Sequence, residues 1–273
     1  MITALLGYLV APNIFITVFA FGCVALAAGW VGVAGPRAAL IGTLSLVIFT
    51  ITAGLPEMLT LSLDFVALMG LGGLAQTLVL VLSALLRNPR VLIVPPDAMG
   101  SLWRRLIFPG EQRYLYTRHA LRLALAIAIA TAISEYYSVP HQYWIPMTVA
   151  WIARPDSNGT VVRIAQRVGG TILGVSLLVA WGIWLPKPQW APIIAIGVGA
   201  YLTFAFIWAN YTIAVFGITI FFSFSIFALA SDLLETSVFF RVGATFAAAL
   251  IALATLVVIR EPKSTATEGT FTQ

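Results

Sequence analysis

Tyr143-Trp144-Ile145-Pro146-Met147-Thr148, then Arg154-Pro155-Asp156-Ser157-Asn158-Gly159-Thr160, then Arg163, Gln166-Arg167, Gly169-Gly170-Thr171 and Gly174 set this chain apart. Aromatic, proline, acidic, basic and glycine positions crowd here between two apolar spans, although only 9% of the sequence is charged. Such residues are costly near a bilayer, so a cluster of them points to a purpose. The cluster holds no zinc spacing and no nucleotide-binding glycine loop. It reads as a transport or conduction element; neither an enzyme active site nor a cofactor is expected.

Outside this stretch the composition is that of a membrane protein. Of 273 residues 60% are hydrophobic and the mean hydropathy is +0.99, against about 45–50% apolar and about 25% charged in soluble domains. The net charge of +5 reads as cytoplasmic loops of a polytopic protein and not as a nucleic-acid surface. Cys23 is the single cysteine, which excludes an internal disulfide and any thiolate metal framework. Lying in an apolar span, it is expected to be a small packing residue. The N-terminus lacks the basic region of a secretory signal, and no cleavage is expected.

A spanning helix needs about 20 mostly apolar residues. That rule gives spans at about 13–34, 38–55, 65–86, 119–137, 142–153, 169–185, 191–208, 212–230 and 238–259. The expected fold is an all-α transmembrane bundle of about nine spans. Its domains are a partial first unit over 1–86, a cytoplasmic linker over 87–117, a six-span unit over 118–260 and a disordered polar tail over 261–273. Gly35-Pro36-Arg37 makes the first turn, and Pro186-Lys187-Pro188 makes a later one. Gly70, Gly72 and Gly73, like the Gly170/Gly174 pair, are small residues that allow close helix approach. A short interfacial helix is expected at Leu102 to Ile107.

Arg118 and Arg122 open the fourth span, where long side chains snorkel to headgroups. The fifth span is short for a crossing and carries Pro146, so it either borrows length from its flanks or is a broken helix of the kind that lines ligand sites. Val161 to Val168 reads as an amphipathic piece that leads into the sixth span, with Arg163 and Arg167 four apart on one face.

Placing the basic linker in the cytoplasm puts every one of the 15 basic residues inside except Lys187 and Arg241, as the positive-inside rule asks. The first three and last three spans are also alike. Ala11-Pro12 matches Ala191-Pro192, Trp30 matches Trp208, and acidic loops with Glu57 and Asp64 match Asp232 and Glu235, at an offset of about 175 to 180 residues. The shared orientation argues for a parallel repeat whose first copy is incomplete. On that reading Ile2 to Val10 is the remnant of a missing span, and the chain is an N-terminally truncated product of a larger gene.

The motif Tyr143-Trp144-x-Pro146-x-Thr148, Arg154-Pro155-Asp156, Arg167-x-Gly169-Gly170-Thr171 and Gly174 resembles the fusaric acid resistance (FUSC) family, also called the aromatic acid exporter family of bacterial inner-membrane proteins. A more distant similarity is to plant aluminium-activated malate channels. The resemblance covers about Arg118 to Arg260. It implies a multi-pass inner-membrane protein with the linker and C-terminus cytoplasmic. The function it implies is proton-driven export of aromatic or other organic carboxylates, often beside a periplasmic adaptor. A passive anion channel, or a non-transporting scaffold that assembles with a second membrane subunit or a further copy of itself, are the alternatives. The partners expected are thus the lipid bilayer and a small organic anion, with no nucleic acid.

An organic anion needs fixed positive charge along its path, and the arginine fork suits a carboxylate. Arg154, Arg163 and Arg167 are the candidates at the inner mouth, although ordinary positive-inside anchoring would place them there too. Tyr143, Trp144 and Trp151 are candidates for stacking an aromatic substrate; for Tyr143 and Trp144 an interfacial aromatic belt is the commoner explanation. Glu135 is the candidate protonatable carboxyl, or else a solvated interfacial residue. Asp156 caps the following helix or pairs with Arg154 or Arg163, with capping favoured by Asp-Ser-Asn-Gly ahead of an apolar run. Pro146, Thr148, Pro155, Asp156, Gly169, Gly170, Thr171 and Gly174 complete the structural motif. His119 and His141 lie too far apart to suggest a metal pair.

Overall fold

The computed structural model describes residues 13–53, 113–138, 143–184, 190–229 and 234–260 without a break, together with 70–75, 104–107, Pro188 and scattered positions between 67 and 86. The apolar lead, the loop with Glu57 and Asp64, most of the linker, His141, Lys187, Asp232 and the polar tail lie outside the described residues.

Every described element is helical. Asn13 caps α1 (Ile14–Val31), its side-chain oxygen accepting from the Phe15 amide at 2.9 Å. A 3-10 turn over Gly32–Ala34 follows. Gly35 then reverses the chain at φ 122°, a conformation open to glycine. Pro36, pre-set for a helix start, opens α2 (Pro36–Ala53). Six helices follow in the described residues: α3 (Arg113–Tyr136), α4 (Trp144–Ile152), α5 (Ser157–Trp184), α6 (Ala191–Phe206), α7 (Tyr211–Leu229) and α8 (Leu234–Val258). Five helical stretches are long and apolar enough to cross a bilayer, and α6 and α7 supply two shorter apolar ones. Hydroxyls inside them return to their own helix: Thr203, Thr219 and Thr245 each donate to the carbonyl four residues back, which satisfies them where water is scarce.

Close approaches fix the directions. Gly29 of α1 meets the Ala120 backbone of α3 while Gly22 meets Ala128, so α1 and α3 are antiparallel. Gly170 meets Thr212 and Val215, and Gly174 meets Thr219, so α5 and α7 run parallel and the expected small-residue pair is used. Arg118 donates to the Ile259 carbonyl at 3.3 Å, which sets the end of α8 beside the start of α3. One end of the bundle therefore collects Arg113, Arg118, Arg122, Arg154 and Arg260. The other carries exposed Tyr136, Tyr137, Trp184 and Trp190. The largest apolar cluster joins α1, α2, α3, α4 and α8; a second joins α5, α7 and the start of α8.

Several expectations are corrected. Arg118 and Arg122 do not snorkel: both are buried, and Arg122 donates to the Arg154 and Pro155 carbonyls at 2.8 and 2.6 Å and to Ser157 at 3.2 Å. The amphipathic piece does lead into the sixth span, and the two share one helix of 28 residues, since Gly169-Gly170 changes the hydropathy without breaking the backbone ladder. Gly72 and Gly73 face open space among the described residues and mediate no close approach there. Cys23 is exposed on α1 and does not pack in the core. Trp144 is buried at 3% exposure, and Tyr143 packs against the core, so neither forms an interfacial belt.

Candidate functional site

The short fifth span settles into a half-helix. Its nine residues rise about 14 Å, less than half the roughly 30 Å hydrocarbon thickness, and all but Trp151 are buried. Pro146 lies in its first turn, where a missing amide donor costs little. The chain then breaks at Ala153–Asp156. Asp156 takes the capping role, its carboxylate accepting from the Gly159 amide at 2.5 Å. Thr160 accepts from the Arg154 amide at 3.0 Å and donates to the Asp156 carbonyl at 3.0 Å, and Arg122 binds the remaining carbonyls of the turn. This tied-down break sits inside the bundle, and its polar groups are met by side chains of α3 and α5.

A vestibule of about 250 Å³ opens beside the break at the basic end, walled by α1, α2 and α3 on one side and by Trp151, Arg154, Pro155, Arg163, Ile207 and Trp208 on the other. A smaller pocket of about 10 Å³ lies above it, lined by Arg167, Thr203, Tyr211 and Val215 among others. Trp151 and Ile207 belong to both walls and separate the two spaces.

Three arginines climb from this vestibule at one-turn intervals. The Arg163 guanidinium lies 4.0 Å from the centroid of the Tyr211 ring. One turn on, Arg167 donates to Thr148 of α4 at 3.2 Å and shares the small pocket with Val215, itself one turn beyond Tyr211. One turn further along both α4 and α7, Arg241 of α8 reaches Thr219 with its Nε at 3.5 Å and lies over the rings of Trp144 and Phe222 at 5.6 and 5.5 Å. Each helical turn advances about 5.4 Å. Arg167 and Arg241 are 3% and 4% exposed, and their charges repel each other. Arg167 Nε and one terminal nitrogen of Arg241 have no hydrogen-bond partner, and among the described residues none of the three arginines forms an ion pair with a carboxylate. A cation at the middle of a span costs about 3 kcal/mol even on the mildest scale.

The expected outer position of Arg241 is thus overturned: it is buried in the bundle. Its place after Phe239-Phe240 inside an apolar run was the available signal, and charge counting by loops passed over it. Arg154, Arg163, Arg167 and Trp151 do come together at the vestibule and the pocket above, and Trp144 joins through Arg241. Tyr143 stands next to Trp144, their rings 6.2 Å apart. Glu135, half-buried in the last turn of α3, lies at the aromatic end, away from the arginines. Thr171 is buried one turn beyond Arg167, and Gly169, Gly170 and Gly174 hold α5 against α7. Among the described residues no group of three His, Cys, Asp or Glu side chains converges to hold a metal.

Residues 127–255 match a family model described as fusaric acid resistance protein-like. The similarity to this family thus covers just under half of the chain. All three stacked arginines fall in this family segment. An uncharacterized protein of Synechocystis sp. is 35% identical over 108 residues, covering 38% of this chain and 14% of that protein. The inner membrane protein YccS of Escherichia coli is 26% identical over 125 residues, 46% of this chain and 17% of that protein. An uncharacterized protein of Haemophilus influenzae is 41% identical over 58 residues, 21% of this chain and 8% of that protein. The matched parts of these relatives are therefore a small fraction of their length. No solved structure matches the chain. The chain is a helical multi-pass membrane protein, and its residues 127–255 are similar to this family.

Proposed function

We propose that this fusaric acid resistance-like chain forms the anion path of a bacterial inner-membrane exporter of organic, foremost aromatic, carboxylates. The observation that carries the reading is the vestibule edged by Arg154 and Arg163 and continued past Trp151 to Arg167, with no carboxylate paired to Arg163 or Arg167 among the described residues. A mobile anion supplies the missing negative charge there, and the aromatic walls accept a flat ring. The basic end faces the cytoplasm, as the positive-inside rule asks. The Escherichia coli relative's name, inner membrane protein, supports the location. The nine-span arrangement in two parallel units, the first incomplete, belongs to the same proposal. In its favour, α1 and α2 run in the same senses as α6 and α7, their counterparts at the offset seen in the sequence. A periplasmic adaptor, a second membrane subunit or a further copy completes the machine on this reading.

Glu135 is the proton-coupling group in the driven exporter. A passive channel is the second reading, and the position of Glu135 away from the arginines favours it. Inverted membrane vesicles carrying the chain separate them. Uptake of radiolabelled benzoate that rises with an imposed proton gradient, and becomes independent of pH in Glu135→Gln, is the expected result. Uptake in the parent that ignores the gradient removes Glu135 and leaves the channel. No uptake of any carboxylate by an inserted, folded chain removes both.

A further inference from the structure

Arg167 and Arg241 are more deeply enclosed than the vestibule arginines and are, among the described residues, the hardest charges to explain by packing. Positive-inside anchoring does not apply, since both lie within the bundle. Nor does structural pairing: Arg167 has one hydrogen bond, to Thr148, and Arg241 has one long one, to Thr219. Each keeps a buried N–H group without a partner. Buried guanidinium groups are retained at such cost when something else completes them. The two come from α5 and α8, elements far apart in sequence. They lie one helical turn apart in height, since Thr148 and Trp144 are one turn apart on α4, as are Val215 and Thr219 on α7.

We infer that Arg167 and Arg241 form a carboxylate-binding site inside the bundle, in which one aromatic monocarboxylate accepts from the unpartnered N–H groups of both and lays its ring toward Trp144 and Phe222. This deepens the transport reading and rests on it. The pocket beside Arg167 holds about 10 Å³ in this conformation, room for about one water. A carboxylate therefore enters when Trp151 or Ile207, the shared wall with the vestibule, moves aside. The structure is then the closed form of the site.

The test is equilibrium binding of benzoate to the purified full chain in lipid nanodiscs, read by thermal midpoint and by tryptophan fluorescence, with benzamide as the uncharged counterpart. In the parent, benzoate raises the midpoint and benzamide does not. Arg167→Gln and Arg241→Gln start from an equal or higher midpoint, because a buried charge is removed, and bind benzoate at least about 10-fold more weakly, as the loss of a charge-assisted hydrogen bond implies. Arg241→Lys keeps the charge without the fork, so it folds as the parent does and binds several-fold more weakly; it is the deciding variant should the glutamine forms fail to fold. Parent-like benzoate affinity in folded Arg241→Gln, or in Arg241→Lys, overturns the site while leaving transport intact. A parent that neither binds nor carries benzoate overturns the transport reading beneath it as well.

Discussion

The double variant Arg163→Gln/Arg167→Gln abolishes benzoate uptake into inverted vesicles while its abundance in the membrane stays that of the parent. Both halves follow from how little these side chains hold together. Arg167 donates once, to Thr148 at 3.2 Å, a single bond to a hydroxyl, and Arg163 is partly exposed and stacks on one ring. An anion passing them loses two charge-assisted contacts at about 1.5–3 kcal/mol each, which multiplies to a rate loss of about 100-fold or more. Radiolabel counts per unit of immunodetected protein give the comparison. Uptake at the parent's level would remove the arginines from the path and return them to the role of membrane anchors.

Gly170→Val has the largest expected effect on the fold. A Cβ there would stand 2.5 Å from the Thr212 carbonyl oxygen and 2.7 Å from the Val215 Cβ. Backbone cannot yield as a flexible side chain does, so α5 and α7 must part, and overpacking of this kind costs up to about 3 kcal/mol or more. The midpoint of thermal unfolding in detergent should fall by about 10 °C. Gly182→Ala in the same helix is the control, since nothing lies within 4 Å of its added methyl. Its midpoint stays put or rises slightly, alanine being the better helix former.

The outline of the described helices was legible because hydropathy and punctuation agree. Asn13 caps the first helix where the apolar run begins, Gly35-Pro36 makes the first turn, and Asp156 caps α5. The shortness of the fifth span, with Pro146 in it, left open a span lengthened by its flanks or a broken helix, and the structure shows the short helix. What stayed hidden was every feature decided by a partner distant in sequence. Arg118 and Arg122 read as lipid-facing anchors, yet they end on carbonyls of α8 and of the Arg154 turn. Trp144 reads as a belt residue, yet Arg241 covers its ring from ninety-odd residues away. Arg241 itself is the clearest case: one arginine at the edge of an apolar run has no pattern of its own, and its role depends on Thr219, Phe222 and Trp144 meeting it.

That anions travel past Arg163 and Arg167 is tested most directly by labelling inside the path. With Cys23→Ser as background, Thr203→Cys places a single thiol on the wall of the pocket that holds Arg167. Labelling in inverted vesicles by the negatively charged reagent sulfonatoethyl methanethiosulfonate should be faster than by its trimethylammonium counterpart, although the free reagents differ in the opposite sense, and benzoate should slow it. Labelling that favours the cation, or that benzoate leaves unchanged, would contradict an anion path through this pocket.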